Sequence, residues 1–448
     1  MNKLILLAAF AGALGAQEFR AGVARLNITP EGPIWLSGYA ARTKPSEGKL
    51  TELWAKALAL EDNKGGRLVV VTVDLIGLPR SLAEEVAARV QKQWGLERAR
   101  LLLNASHTHT GPVVYPNLVT MFELDAAQEQ IVRDYARGLA DKLVAVAGAA
   151  LGDLAPARLA FGQGQVGFAV NRREVTPNGI KLGVNPAGPV DHSVPVLLVS
   201  DSEGRTKAVL FGYACHCTTL TAEHYKISGD YAGYAQMEIE RVRPGATAMF
   251  LTLCAGDQNP HPRSSEELAQ RHGKSLADEV VRVLAGELKP VRPPIRAALQ
   301  MVDLRFAPHT RETFEKELAS GDRFRVARAR QMLKAYDERR PIRHVPYPVQ
   351  AVRFHTDLTL LALGGEVVVD YALRAKREFP RETLVVAAYS NDVMCYIPSL
   401  RVLREGGYEA DTSMIYYGQP GPFSEEVEET VFRTIHQVMR RVGAKSGR

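Results

Sequence analysis

The 448-residue sequence lacks several features that would assign it to a specialised class of protein. It has no internal repeat and no low-complexity tract, which argues against a solenoid of repeats and against a linker of biased amino-acid composition. After the first sixteen positions, no apolar run is long enough to span a bilayer as a helix. The compact zinc signature HExxH is also absent, so any metal site has to be assembled from distant segments.

A long block of like charge is missing as well, although the net charge is +6. The densest basic run, residues 323–343, also carries Asp337 and Glu338 and has helical spacing. This pattern is more typical of a solvated helix face than of a nucleic-acid patch. We therefore predict no nucleic-acid partner, whereas contact with an anionic lipid surface stays open.

Cysteine is scarce, with only four residues: Cys215, Cys217, Cys254 and Cys395. In an exported chain these cysteines could pair, but their spacing does not give the connectivity. We favour buried free thiols over a disulfide.

The first sixteen residues have the pattern of an export signal. Lys3 supplies a positive start, Leu4–Ala11 an apolar stretch and Ala13–Ala16 a small-residue cleavage region. We predict a signal peptide at residues 1–16 and an exported mature protein, periplasmic or secreted, in which residues 17–448 form a single catalytic domain. The alternative is a frayed N-terminal strand.

Short apolar segments alternate with amphipathic ones along the rest of the chain. The predicted strands are Ala55–Leu60, Leu68–Val73, Leu101–Leu103, Val194–Val199, Ala208–Tyr213, Ala248–Leu253, Leu358–Leu363 and Leu384–Ala388. The predicted helices are Ser81–Trp94, Asp125–Val146, Tyr231–Val242, Glu266–Ala285, Arg311–Arg339 and Ser424–Arg441. This order predicts an α/β fold, a layered sandwich of mixed, partly parallel sheets flanked by helices. The proline-rich stretch 289–295 is interpreted as a crossover within it.

The most informative stretch is Leu101–Pro112, which reads LLLNASHTHTGP. A short buried strand runs into a polar turn that holds His107 and His109. In extended backbone these two side chains would point to the same side, and open α/β sheets bind ligands beyond the carboxyl ends of their strands. A metal site is one interpretation, and a polar loop with two hydrogen-bonding histidines is the other.

Other apolar strands also end in polar loops that carry possible metal ligands. His216 follows the strand Ala208–Tyr213, Glu366 follows a Gly-Gly turn, and Tyr396 lies beyond the strand Leu384–Ala388. Three protein ligands with one open position are typical of a catalytic zinc site. The pattern therefore predicts an active site at the carboxyl ends of the strands, with zinc as its cofactor.

A series of short motifs extends over nearly the whole mature chain. They are AGVARLNITP at Ala21–Pro30, Gly38-Tyr39, SHTHTGP at Ser106–Pro112, Asn171-Arg172, YACHCTTL at Tyr213–Leu220, SGDYAGYA at Ser228–Ala235, AGDQNP at Ala255–Pro260, Gly365-Glu366 and the segment Tyr396…Tyr408-Glu409. In these motifs and in their order, the sequence resembles the catalytic domain of the neutral/alkaline, non-lysosomal ceramidases.

The resemblance implies a role for each matching residue. A single zinc ion would be held by two histidines, a glutamate and a tyrosine, here His107, His216, Glu366 and Tyr396. The substrate and the developing oxyanion would be contacted by His109 and Arg172, with Tyr408 also near the substrate. The implied chemistry is attack of zinc-activated water on an amide carbonyl.

The sequence departs from the family pattern at three points. The family's C-terminal immunoglobulin-like domain is not expected in this chain. Asn259 stands where a serine occurs in the family, and Cys217 replaces a proline after the histidine of the second zinc motif. These differences leave the implied zinc ligands unchanged and bear on substrate preference.

These observations together predict an exported zinc amidohydrolase with a lipid amide, ceramide or a relative, as its substrate. The oligomeric state is not given by the sequence. The nearest alternative is a zinc hydrolase of the same fold that acts on a non-lipid amide or an ester. A non-catalytic lipid- or glycan-binding surface protein is a second alternative. A phosphate-ester hydrolase is a third, although it would want more carboxylates than the sequence places.

Overall fold

The computed structural model describes residues 19–447. The predicted signal peptide at residues 1–16 lies outside this range. Among the described helices, none combines the length and the apolar character that crossing a membrane requires.

The strands and helices alternate along much of the chain. The strands are β1 (Phe19–Asn27), β2 (Trp54–Asp62), β3 (Arg67–Val73), β4 (Leu101–Ala105), β5 (Ala155–Gln165), β6 (Ala169–Thr176), β7 (Gly179–Asn185), β8 (Ser193–Asp201), β9 (Thr206–Tyr213), β10 (Thr247–Thr252), β11 (Gln258–Pro260), β12 (Lys289–Val291), β13 (Ile295–Arg305), β14 (His344–Phe354), β15 (Leu358–Leu363), β16 (Glu366–Val367), β17 (Leu384–Ala387) and β18 (Tyr396–Ile397). The α-helices are α1 (Arg80–Trp94), α2 (Ala126–Gly152), α3 (Asp230–Val242), α4 (Glu266–Ala285), α5 (Arg311–Leu318), α6 (Arg323–Asp337), α7 (Val369–Glu378), α8 (Leu400–Glu405) and α9 (Val427–Arg441).

The largest sheet is mixed, with the strand order β10-β9-β8-β5-β1-β2-β3-β4, and β12 pairs with β5 beside this path. Its β3–β4 and β9–β10 pairs are parallel, whereas β1–β2 and β5–β8 are antiparallel. On β3, alternate residues face opposite ways: Val69 and Val71 pack in a cluster with residues of α1 and α2, while Leu68 and Val70 face a second sheet. Strand β3 is therefore buried on both faces, which explains its unbroken apolar sequence.

The second sheet has the order β13-β14-β15-β17 and packs face to face with the first. Phe354, Leu360 and Val385 of this sheet share the inter-sheet core with Leu58 and Leu102 of the first. Residues of α7 and α9 cover the outer face of the second sheet. The layers run helix, sheet, sheet, helix, so the predicted sandwich of mixed, partly parallel sheets is confirmed.

Two predicted details can be compared directly with the structure. The prediction of a single helix over Arg311–Arg339 is wrong, because this segment forms two helices, α5 and α6. Gly321 has a φ of 75°, and Asp322 caps α6 by accepting hydrogen bonds from two backbone N–H groups. The proline-rich stretch 289–295 does cross between layers, since β12 pairs with the first sheet and β13 begins the second.

Asn104 links the two outermost strands of the large sheet. Its amide oxygen accepts a hydrogen bond from the backbone N–H of Thr252 on β10, at 3.0 Å. Its amide nitrogen donates to the carbonyl of Ala388, just beyond β17, at 2.7 Å. The carboxyl ends of β4, β10 and β17 are therefore held close together, and the loops that follow them enter one region.

Candidate metal centre and its cavity

His107 and His109 lie in the loop after β4, and their rings meet. The two Nε2 atoms are 3.1 Å apart, and both side chains are buried. The expected reason for this proximity is wrong, because β4 ends at Ala105 and His107 has a φ of 62°. A left-handed residue in a turn, rather than the alternation of an extended strand, brings the two imidazoles together.

His216 approaches the same point from the loop after β9. An isolated bridge between Thr108 and Cys217 joins this loop to the loop of His107. The backbone N–H of His216 also donates to the carbonyl of Gln258 at 2.9 Å. The three histidines His107, His109 and His216 offer ring nitrogens that all lie within 4.8 Å of one another.

Glu366 and Tyr396 are placed side by side by a short parallel pairing. Strands β16 and β18 pair with Glu366 opposite Tyr396, although the two residues are far apart in the sequence. Glu366 Oε2 is 2.9 Å from His107 Nε2 and 3.0 Å from His216 Nε2. The Tyr396 hydroxyl is 3.2 Å from His216 Nε2. All four residues that the resemblance implies as metal ligands thus meet at one buried point.

The protonation of the two histidines tests whether a cation fits there. The Nδ1–H of His107 donates to the carbonyl of Ile76 at 2.5 Å, and that of His216 donates to the carbonyl of Ala255 at 2.7 Å. A carbonyl only accepts, so Nδ1 carries a proton in both rings, and a neutral imidazole of this tautomer presents Nε2 as a bare acceptor towards the Glu366 carboxylate. Burial lowers the pKa of His216 to about 3, with Arg172 adding to the effect, so its ring stays neutral.

Acceptors that face one another without a proton between them repel, unless a cation lies among them. Histidine and carboxylate are both ligands of zinc, and a hydrogen-bonded Nδ1 is the usual support of a metal-bound imidazole. Ligands held at about 2.0–2.1 Å around a tetrahedral ion lie roughly 3.3 Å apart. The observed separations of 2.9, 3.0 and 3.2 Å are close to that value. The donor set therefore fits a divalent metal ion such as zinc.

His109 differs from the other two histidines because it lines a cavity. Its Nδ1 is buried without a hydrogen-bond partner in the described part of the chain. Burial, together with the neighbouring histidines, holds its pKa well below the usual value, so the ring is neutral at pH 7. Gly38 permits the close packing of this ring, since a Cβ at that position would lie 2.3 Å from His109 Nδ1.

The cavity next to the buried ligands has a volume of about 430 Å³. Its wall includes polar residues from several strands and loops, among them His109, Arg172, Asn259, Tyr396 and Tyr408. The apolar part of the wall includes Met121, Val170, Leu182 and Val184. A cavity of mixed lining beside a metal site can accept a molecule with a polar reacting group and an apolar chain.

Arg172 on β6 connects the ligand cluster with the cavity. Its Nη2 donates to the Tyr396 hydroxyl at 2.9 Å, its Nη1 to Asn259 Oδ1 at 3.3 Å and its Nε to Glu409 Oε1 at 2.8 Å. Burial lowers the pKa of Arg172, but Tyr396 and Glu409 outweigh it and raise that pKa well above the usual value. The guanidinium is a permanent buried cation on the cavity wall.

The remaining predicted site residue, Tyr408, also lies on the cavity wall. Its ring centroid is 5.4 Å from that of Tyr396 and 5.7 Å from the Arg172 guanidinium carbon. Asn259, which replaces the family's serine, accepts from both Arg172 and the Thr218 hydroxyl. The structure therefore brings all seven predicted site residues together.

Two tyrosines that contact the predicted metal ligands, Tyr417 and Tyr389, were not predicted from the sequence. The Tyr417 hydroxyl donates to Glu366 Oε1, which leaves Oε2 to face the histidines. The ring of Tyr389 lies 4.4 Å from that of His107, centroid to centroid, and Tyr389 has a φ of 50°. Neither residue stands in a motif with ligand spacing, so no pattern in the sequence could have identified them.

The four cysteines are all buried and unpaired. Cys215 and Cys217 belong to an apolar cluster with residues of β9 and α3. The prediction of buried free thiols is confirmed.

The comparisons with known proteins all indicate the same family. A family model described as "Neutral/alkaline non-lysosomal ceramidase, N-terminal" matches residues 19–280. The neutral ceramidase of Pseudomonas aeruginosa is 26% identical over 259 residues, which cover 54% of this chain and 37% of the relative. That of Mycobacterium tuberculosis is 26% identical over 304 residues, 60% of this chain and 45% of the relative. The alignments thus span less than half the length of these relatives.

Two solved structures have a similar fold. The crystal structure of neutral ceramidase from Pseudomonas aeruginosa matches with a TM-score of 0.72 at 20% identity, covering 95% of this chain and 75% of that one. A structure described as "Ceramidase complexed with C2" matches with a TM-score of 0.73 at 19% identity and the same coverage. At these identities the likeness shows the fold alone.

Proposed function

Because the chain belongs to the neutral/alkaline non-lysosomal ceramidase family, we propose that it is a zinc-dependent amidohydrolase. Its substrate is ceramide or a related N-acyl lipid, which it cleaves into a fatty acid and an amine. The observation that carries the proposal is the convergence of His107, His216, Glu366 and Tyr396 beside a cavity. The Nε2 atoms of His107 and His216 face a carboxylate there, and a cation balances that arrangement.

The metal ion would be held by His107, His216, Glu366 and Tyr396. When bound, it supplies Lewis acidity that activates water and polarises an amide carbonyl. Arg172 is placed to stabilise the negative charge that develops on the carbonyl oxygen. Among the described residues, its partners use three of its five N–H donors, which leaves one on each Nη for the substrate.

His109 and Tyr408 complete the part of the site that contacts the substrate. Because the His109 ring is neutral, one of its nitrogens accepts a hydrogen bond and the other donates one, and the ring lines the cavity where the scissile amide would bind. Water adds its oxygen to the carbonyl carbon, the carbon–nitrogen bond breaks, and a proton passes to the leaving amine. The fatty acid takes the hydroxyl group and the amine takes the proton, so the atoms balance.

Zinc content and ceramide cleavage, measured on the same preparation, test this function. We expect one zinc per chain and release of fatty acid from a fluorescent short-chain ceramide, with both lost after treatment with a chelator. A protein that contains zinc and releases no fatty acid from ceramide, but hydrolyses a non-lipid amide or an ester, would show that the substrate is not a lipid amide. Zinc with no turnover of any amide or ester would favour a binding protein, and a metal-free protein that cleaves ceramide would overturn the mechanism.

We also propose that the protein is exported, on the basis of the signal pattern at residues 1–16. Expression of the full chain in a bacterial host tests this. The mature protein should appear outside the cytoplasm with an N-terminus close to residue 17. Retention in the cytoplasm with the N-terminus intact would contradict export.

A hairpin at the rim of the cavity suits contact with a lipid surface. Strands β6 and β7 carry Val175, Leu182 and Val184, whose exposed fractions are 74%, 49% and 43%. Leu182 and Val184 also line the cavity, so an apolar strip runs from the protein surface to the site. Exposed apolar side chains beside a lipid-binding cavity, on a chain with a net charge of +6, favour an anionic bilayer as the partner.

Val175→Ser should therefore reduce activity on ceramide held in anionic vesicles by about three- to tenfold, since one buried apolar side chain contributes roughly 1 kcal/mol or more. Activity on a detergent-dispersed short-chain ceramide should stay unchanged. Met237→Ser removes an apolar side chain of 52% exposure on α3 and serves as the control. Equal losses of activity in both assays would mean that Val175 maintains the structure of the site and does not contact the lipid surface.

A further inference from the structure

We propose that Glu409 is a positioning residue that fixes the Arg172 guanidinium in the cavity, and that Arg173 holds Glu409 from the other side. This inference rests on the proposed amide hydrolysis, in which Arg172 stabilises the oxyanion. It assigns a role to a carboxylate that touches neither the metal ligands nor the cavity in the described contacts.

Glu409 is completely buried, with a relative exposure of 0%. Its Oε1 accepts from Arg172 Nε at 2.8 Å, and its Oε2 accepts from Arg173 Nη1 at 2.7 Å. A buried carboxylate is costly unless it is paired and hydrogen-bonded, and here two guanidinium groups share it. Each carboxylate oxygen is bonded to a different arginine, so the carboxylate cannot rotate without breaking a bond.

The contact with Arg172 is made at Nε and not at a terminal nitrogen of the guanidinium. Glu409 binds Nε, which leaves Nη1 and Nη2 to Asn259, Tyr396 and the cavity. A carboxylate that only balanced charge could bind the Nη atoms equally well. Binding at Nε leaves one N–H on each terminal nitrogen without a partner among the described contacts, on a side chain that lines the cavity.

Arg173 is itself anchored, so it can act as a fixed support. Its side chain is 2% exposed, and its Nη2 donates to Glu405 Oε2 at 3.0 Å and to the carbonyl of Gly406 at 2.9 Å. These contacts tie β6 to the end of α8. The segment that carries Tyr408 and Glu409 follows directly and is held against the cavity by the same bonds.

A local irregularity of β6 makes this arrangement possible. Neighbouring residues on a regular strand point to opposite faces, so Arg172 and Arg173 would not normally reach one carboxylate. The register between β6 and β7 shifts between Asn171 and Arg173. A bulge of this kind redirects a side chain, and bulges are frequent next to active sites.

The test compares Glu409→Gln with Glu405→Gln. A glutamine at 409 can accept from one arginine but turns an N–H₂ group towards the other. We expect kcat to fall about 10- to 100-fold, with a much smaller change in KM and with zinc content retained. Glu405→Gln weakens one contact of Arg173 with a partly exposed side chain, but it leaves the bonds of Arg173 to Glu409 and to the Gly406 carbonyl in place. Glu405→Gln should therefore change kcat less than about twofold. An equal loss in both variants would overturn the proposal.

A double-mutant cycle shows whether Glu409 acts through Arg172. If it does, Glu409→Gln should have little further effect on kcat in an Arg172→Ala background, because the group that it positions is already gone. Fully additive losses would mean that Glu409 acts independently of Arg172. Should Glu409→Gln fail to fold, Glu409→Asp keeps the charge but cannot span both arginines, and it enters the same cycle.

A spectroscopic readout keeps this test independent of turnover. The Arg172 Nε–H bond to a buried carboxylate should give a distinct ¹⁵Nε–¹H resonance, assigned by its absence in Arg172→Lys. We expect this resonance to shift or broaden in Glu409→Gln and to stay in place in Glu405→Gln. If the wild-type protein cleaves no amide, the proposed function fails while this signal still reports on the positioning of Arg172. An unchanged resonance in Glu409→Gln would overturn the positioning role.

Discussion

His216→Ala is expected to abolish both metal binding and hydrolysis. The variant removes a ring whose Nε2 lies 3.0 Å from Glu366 Oε2 and 3.2 Å from the Tyr396 hydroxyl, at the centre of the buried cluster. The remaining groups cannot shift to replace it, because His107 is fixed by the carbonyl of Ile76 and Glu366 by the hydroxyl of Tyr417. Purified His216→Ala should contain no stoichiometric zinc and should release no fatty acid above background.

A second buried histidine supplies the control for this variant. His272 is buried on α4, stacks on Phe168 with ring centroids 4.5 Å apart, and donates from Nε2 to the carbonyl of Pro262 at 2.7 Å. His272→Ala should lower the free energy of unfolding by roughly 1–3 kcal/mol and leave the zinc content intact. Full activity in a His216→Ala protein that lacks metal would remove zinc from the mechanism.

The layered fold could be predicted largely because the central strands are short and apolar. Strands such as β3, β9 and β15 are buried on both faces, so their composition alone marks them. Strand β14 was not predicted, since Pro346 and Pro348 interrupt its sequence and proline cannot donate a sheet hydrogen bond. These prolines lie where β14 pairs with β13 alone, because its pairing with β15 begins only at Val349.

Other strands were missed because one of their faces is exposed. In the second half of strand β13, buried or partly buried residues alternate with the exposed residues Met301, Asp303 and Arg305. Polar residues on that face break the apolar runs by which the predicted strands were recognised. The division of the segment 311–339 into two helices depended on a turn at Gly321, whose φ of 75° ends the regular helical pattern.

Site residues that directly follow an apolar strand could be predicted from the sequence. Contacts between residues from distant segments could not. His107 and His216 each follow an apolar strand, which made both visible in the sequence. The hydrogen bond between Tyr417 and Glu366 joins residues that are 51 positions apart. The bonds of Glu409 to Arg172 and Arg173 join residues that are more than 230 positions apart. No sequence pattern connects these segments. Only the packing of the chain brings such residues together, so a local motif cannot reveal them.

Arg172→Ala is expected to leave the metal bound and to cut turnover by about 10²- to 10³-fold, the usual cost of removing one oxyanion donor. The guanidinium contacts the Tyr396 hydroxyl at 2.9 Å but none of the other three predicted ligands in the described contacts. Its loss therefore leaves His107, His216 and Glu366 in place to hold the ion. Zinc content, kcat and KM should be measured on the same preparation, with a thermal melt to confirm folding.

Arg172→Lys separates the charge of the arginine from its shape. Lysine keeps a cation near the cavity but cannot bond Glu409, Asn259 and Tyr396 at once, because its three donors share a single nitrogen. If orientation matters as the buried bonds to Glu409 indicate, the lysine variant should recover only a small part of kcat. Full recovery by lysine would assign the effect to charge alone. Loss of zinc in Arg172→Ala would instead mean that Arg172 acts by holding Tyr396 as a ligand, and the oxyanion would then need a different partner, for which His109 on the same cavity wall is placed.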